Sequence, residues 1–204
     1  MDERRDVKEA YDEMAKHYID VVTSESSSEL PKPVKRFQKE LGPEDELLDA
    51  GCGPGRSTLL MAGENGVGLD ISREQLSLAS ERVTARLVQG DMTSLPFASD
   101  SFDAVSAIYS LIHVPVDDHR RALAEFARVL RPGGTLLVTE GGVEWTGSNP
   151  DWLDSGVKMR WSMAGPEATR KDLQGCGFEI RDVWDVLDPT TDDGVKPFFL
   201  ATLP

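Results

Sequence analysis

Three carboxylates close successive apolar runs: Asp49 in "LLDAGCGPGRST", Asp70 in "GVGLD" and Asp91 in "QGDMTSLPF". After the first come Gly51, Gly53 and Gly55, alternating with small or turn-forming residues. Glycines this dense let a backbone approach a ligand closely, and such loops after a strand commonly cradle a phosphate. Asp49 argues for a different ligand. A carboxylate two residues before the first glycine repels a pyrophosphate and welcomes donors or positive charge. The spacing also departs from the dinucleotide fingerprint G-x-G-x-x-G, because Arg56 stands where its third glycine belongs. Asp70 can accept both hydroxyls of a ribose. Asp91 can accept from an exocyclic amine, while the Met92 N–H donates to a ring nitrogen. These residues describe a ligand with a ribose, an amino-bearing base and a cationic, amine-bearing end, without phosphate.

Positioning them requires strands whose tips share one edge. "ELLDA", "GVGLD", "ARLVQG", "FDAVSAIYSL" and "GTLLVTE" are short apolar runs separated by helical patterns, including "SREQLSLASERV" with a Ser72–Gln75 capping box and "DDHRRALAEFARVL" ending at Pro132-Gly133. This alternation predicts an α/β fold, a Rossmann-like, seven-stranded, mostly parallel sheet with helices on both faces. "FEIRDVWDV" and "KPFFLATLP", with no helix between them, are expected to pair antiparallel at the end of the chain. Upstream, residues 6–20 read as an amphipathic helix, followed by a polar "TSESSSE" linker and a short helix in "PKPVKRFQKEL". Residues 141–165 show no clean period and carry Trp145, Trp152 and Trp161, three of the four tryptophans. The whole reads as a single domain, 1–204: a helical cap (1–41), a core that carries the carboxylates (42–140), a lid (141–165) and a C-terminal helix and strand pair (166–204).

Composition narrows the partners. With 36 acids against 22 bases and a net charge of -14, the chain is poorly suited to a polyanion, since phosphate contacts need clustered Lys and Arg. No run approaches the ~20 apolar residues of a membrane-spanning helix, and the charged start lacks a secretory signal. Cys52 and Cys176 make neither a disulfide framework nor a metal cluster, and both read as packing residues. A cytoplasmic protein is expected. The acidity reads either as ordinary solubility or as adaptation to a salt-rich cytoplasm.

"LLDAGCGPGRST", "GLDIS", "GDMTSLPFASDSFDAV" and "RVLRPGGTLLVTE", in this order and spacing, resemble the class I S-adenosylmethionine-dependent methyltransferases, and "YDEMAKHY" resembles the N-terminal helix of their small-molecule members. The resemblance implies S-adenosyl-L-methionine as cofactor, S-adenosyl-L-homocysteine as its product, and an in-line methyl transfer to a small-molecule nitrogen, oxygen or carbon nucleophile. It assigns Asp49 to the methionine amine, Gly51, Gly53 and Gly55 to the turn under the methionine and ribose, Asp70 to the ribose diol, and Ile71 to the face of the adenine. Asp91 and Met92 read the adenine edge and Ile108 passes the methionine tail. Tyr11 and Tyr18 cap the methionine carboxylate or are plain core. His113, Tyr109 and Glu140, at strand exits on the ligand edge, are the candidate catalytic or acceptor-lining groups. His17 and His119 read as solvated. The three tryptophans form either an aromatic acceptor wall or a lid core. Two alternatives stand beside this reading: a non-catalytic binder of the same cofactor, and a nicotinamide-dependent oxidoreductase, which Asp49 and the missing third glycine disfavour.

Overall fold

The computed structural model describes residues 3–24, 30–56, 58–187 and 194–204. Its centre is a seven-stranded sheet built from β1 (Leu47–Ala50), β2 (Gly66–Asp70), β3 (Arg86–Gln89), β4 (Phe102–Ala107), β5 (Leu130–Thr139), β8 (Glu179–Leu187) and β9 (Val195–Thr202), in the spatial order 3-2-1-4-5-9-8. The first five strands run parallel. β9 enters antiparallel between β5 and β8, as the missing helix between the last two apolar runs requires.

Both faces are buried because the period-2 alternation sends neighbouring apolar residues to opposite sides. Leu48, Val105, Leu136 and Phe199 pack with Leu123 and Phe126 of α5 (Val116–Val129) and Leu173 of α6 (Pro166–Gly175). Their neighbours Leu47, Ala104, Leu137 and Phe198 pack with Val34 and Phe37 of α2 (Lys32–Gln38) and with Met61 of α3 (Thr58–Ala62). α4 (Arg73–Ser80) contacts β2 and β3. α1 (Glu3–Ser24), longer than the expected 6–20, lies against α4 and against the strand Met159–Ala164. The linker expected after it falls mostly outside the described residues, as does most of the turn between β8 and β9.

Residues 141–165 are ordered where the sequence showed no period. They form an antiparallel hairpin of β6 (Glu144–Asn149) and β7 (Met159–Ala164). The alternation is missing because β6 is largely exposed on both sides. Gly147 lies beneath the Trp145 ring, where a side chain would collide with the indole. His119 also departs from expectation, being buried at 1% exposure. It continues the inward stripe of α5 at i, i+4, i+7 through Leu123 and Phe126, so a sequence that looks polar puts it inside.

Candidate functional site

The carboxyl ends of the parallel strands open into a cavity of about 880 Å³, the place where ligands of open α/β sheets bind. Two kinds of wall meet there.

On one side is the glycine turn. Gly51 and Gly53 have positive φ (80° and 52°), a conformation open to glycine at little cost, and a side chain at Gly51 would collide with Ser110. Gly55 does not line the cavity. A Cβ there would stand 3.0 Å from Val83 Cγ1 and 3.1 Å from Ala79 Cβ, so this glycine provides the close packing against α4 that the missing third glycine of a dinucleotide loop would give. Arg56 lines the cavity beside the loop and donates to the Val22 carbonyl at 2.7 Å.

Asp49 is buried and accepts from Thr58 Oγ1 and Ser106 Oγ, both at 2.9 Å. Asp70 is buried beside it, accepting the Gly53 and Ser72 N–H groups at 2.8 Å each. Burial, reinforced for Asp49 by the charge of Asp70 and for Asp70 by that of Asp12, pushes each carboxyl up to about 6 despite these hydrogen bonds. Two closely placed acids under strain to ionise suit a cationic guest. Asp91 also borders the cavity, but its carboxylate is engaged: Oδ2 meets Arg4 at 2.7 Å and Oδ1 accepts from Thr93 N–H and Oγ1. Ile71, Met92 and Ile108 line the same space.

On the other side the cavity is aromatic. His113 donates from Nδ1 to the Arg160 carbonyl at 2.9 Å, and its Nε2 receives the Tyr11 hydroxyl at 3.0 Å. Burial first, and then the charge of Lys196, lower its pKa to about 4, so the ring is neutral with Nε2 as its basic nitrogen. Tyr11 is itself held well above the ordinary phenol range by burial. The rings of Tyr18, Trp152 and Trp161 stack edge-on or tilted around this pair at 5.3–6.0 Å. Trp152 and Trp161 join α1 in a small apolar cluster and also line the cavity, so for these two wall and lid core coincide, whereas Trp145 lines the cavity from an exposed position outside that cluster. Tyr109, at a φ of 55°, and the buried Lys196 complete this side.

Glu140 is a correction. It is fully buried and faces away from the cavity, accepting from Thr169 Oγ1 at 2.9 Å and lying 3.2 Å from His119 Nδ1. The strand carrying it ends on the ligand edge, but the alternation of β5 turns this side chain toward α5 and α6. Several participants gave no signal in the sequence. Asp12 of α1 accepts from Ser72 Oγ at 2.7 Å and so pins α1 to the start of α4. Arg4 joins Asp91 to Asp118, the latter at 2.5 Å.

Residues 48–138 match the family described as a methyltransferase domain. Over 189 residues the chain is 30% identical to the O-methyltransferase resE of Aspergillus sclerotiorum, covering 84% of this chain and 70% of that one. The chain belongs to the S-adenosylmethionine-dependent methyltransferase family. It is also 39% identical over 177 residues to the methyltransferase GfsG of Streptomyces halstedii, covering 78% of this chain and 62% of the relative's length. Its fold is shared with an S-adenosylmethionine-dependent methyltransferase from Methanosarcina mazei, at a TM-score of 0.72 and 24% identity over 85% of this chain and 98% of the other. For a member of this methyltransferase family, the glycine turn fits the family's cofactor: the cradle is shaped by glycines, and two buried acids, Asp49 and Asp70, stand beside it to meet donors and positive charge.

Proposed function

We propose that this chain transfers a methyl group from S-adenosylmethionine to a hydroxyl of a small, largely apolar molecule. The observation carrying the reading is the single cavity that joins the buried pair Asp49 and Asp70 to a neutral imidazole set in an aromatic wall. Its size falls within the roughly 300–1,000 Å³ of small-molecule sites. The choice of oxygen is supported by relatives named as O-methyltransferases.

In this reading Asp49 faces the amino group of the cofactor, Gly51 and Gly53 bring the backbone beneath it, and Asp70 accepts from its ribose. Asp91 and Met92 border the base, with Ile71 and Ile108 against its apolar surfaces. When bound, the cofactor supplies an electrophilic methyl on a sulfonium. The remaining task is positioning, which can lower a barrier by up to ~7–11 kcal/mol. α1 and the β6–β7 hairpin form the acceptor-side cover, with Tyr18, Trp152 and Trp161 as its walls and Tyr109 at its edge. The Arg160 carbonyl fixes the His113 tautomer. An acceptor hydroxyl that displaces the Tyr11 phenol from Nε2 hands its proton to the imidazole as the new bond forms. The burial that keeps His113 neutral also makes it a weak base, so it takes the proton only as methyl transfer builds positive charge on the acceptor oxygen and acidifies its hydroxyl. A cytoplasmic setting fits this chemistry, and among the described residues no helix is long and apolar enough to cross a membrane.

The test is a panel of phenols and enols offered with S-adenosylmethionine, following S-adenosylhomocysteine release. His113→Ala is expected to lower kcat by ~10²–10⁴ while leaving S-adenosylhomocysteine affinity within a factor of about two. No turnover across the panel, despite tight cofactor binding, would favour a non-catalytic binder. A chain indifferent to S-adenosylhomocysteine would overturn the reading at its base.

A further inference from the structure

Gln75 begins as an ordinary helix-start residue. In a capping box the Ser72 side chain accepts the backbone N–H three residues on, and the residue there reaches back to the Ser72 N–H. Only half of that exchange forms. Ser72 Oγ accepts from the Gln75 N–H at 3.1 Å, but the Ser72 N–H is already taken by Asp70 Oδ1 at 2.8 Å. The Gln75 carboxamide has lost its usual partner.

It has not gone to solvent instead. Gln75 is 1% exposed, and neither its Nε2 nor its Oε1 has a hydrogen-bond partner among the described residues. The residue lines the cavity, and Oε1 stands 4.0 Å from where a Cβ on Gly53 would lie. Leaving a buried donor and acceptor both unmatched costs stability, and folded proteins keep such a group where a ligand satisfies it. The ligand group must both donate and accept, and it must sit where Asp70 and the Gly53 turn converge.

A sugar hydroxyl meets that description. Ionised Asp70 can only accept, and each of its oxygens already takes a backbone amide. With a lone pair left on each oxygen it can take both protons of a vicinal diol, but the diol oxygens still need a donor, which Asp70 cannot be and the unmatched Gln75 Nε2 can. We propose that Gln75 is a cofactor-binding residue whose carboxamide pairs with the ribose hydroxyls beside Asp70, giving up its capping-box role to do so. The inference rests on the cofactor reading above and names a contact that Asp70 alone cannot supply.

The experiment compares the intact chain with Gln75→Met, which keeps the side-chain length and removes both polar atoms. The probes are S-adenosylhomocysteine and its 2′-deoxy and 3′-deoxy analogues, measured by calorimetry. Gln75→Met is expected to weaken S-adenosylhomocysteine about tenfold or more and to lose less affinity for at least one deoxy analogue. Without ligand, its melting temperature should equal or exceed that of the parent, because no satisfied bond has been removed. Unchanged S-adenosylhomocysteine affinity, or an equal loss for all three probes with a lower ligand-free melting temperature, would overturn the assignment and make Gln75 structural. Failure of the parent chain to bind S-adenosylhomocysteine would instead remove the cofactor reading, and the role of Gln75 with it.

Discussion

A carboxyl that burial holds at about 6 costs the fold stability at neutral pH. Asp49 has an unfolded value near 3.8 and a folded value near 6, so the folded state binds the extra proton between those limits. Stability from this group therefore rises as pH falls through 6 toward 4, and above 6 the buried charge works against folding. Asp49→Asn should raise the melting temperature at pH 8, by a stability of about 1–3 kcal/mol, and the advantage should fade below pH 4. His113 works in the opposite sense: its folded value near 4 lies below the unfolded 6.5, so its contribution is lost as pH drops from 6.5 to 4. A melting series across pH 4–8 on parent and variant separates the two, and a variant advantage that did not vary with pH would remove the electrostatic account. Asp49, Asp70, Gly51 and Gly53 were legible as cavity residues from residue type and spacing, whereas Gly55 packs against α4 instead. The Tyr11–His113 pair was not, because the two lie in distant elements and only packing brings them to 3.0 Å.

At the scale of elements, the parallel strands were readable because each is an apolar run buried on both faces. The β6–β7 hairpin was not, since an exposed strand has no face to reveal. α1 was readable as an amphipathic helix, but what it grips was not. Its Asp12 accepts from Ser72 Oγ and, at 3.3 Å, from the Glu74 N–H, serving as an added cap to a helix on the other side of the cavity. Asp12→Ala should cost about 1 kcal/mol, the typical value of a lost cap. Hydrogen exchange should quicken in α1 and the first turn of α4 while the amides of β1, β4 and β5 stay protected. Acceleration spread evenly through the sheet would show that α1 is part of the global fold and not a separately anchored cover.

For the whole molecule the dominant fact is a net charge of -14. Self-repulsion on this scale opposes compaction, and salt screens it with a Debye length of about 10 Å at 0.1 M. Melting temperature should climb as KCl is raised from low to molar concentration, and a flat or falling curve would mean that ion pairs such as Arg131 with Glu46 outweigh the repulsion. The charge was plain in the sequence. So was part of its distribution, since Asp49, Asp70 and Asp91 were expected along one strand edge; the buried Lys196 that lines the same cavity was not foreseen.

Arg4 holds Asp91 and Asp118 at once, from the first turn of α1. One guanidinium at the cavity rim thus serves as the counter-charge of two acids from different parts of the fold. A single substitution on α1 would therefore strip two carboxylates of their shared cation at one stroke.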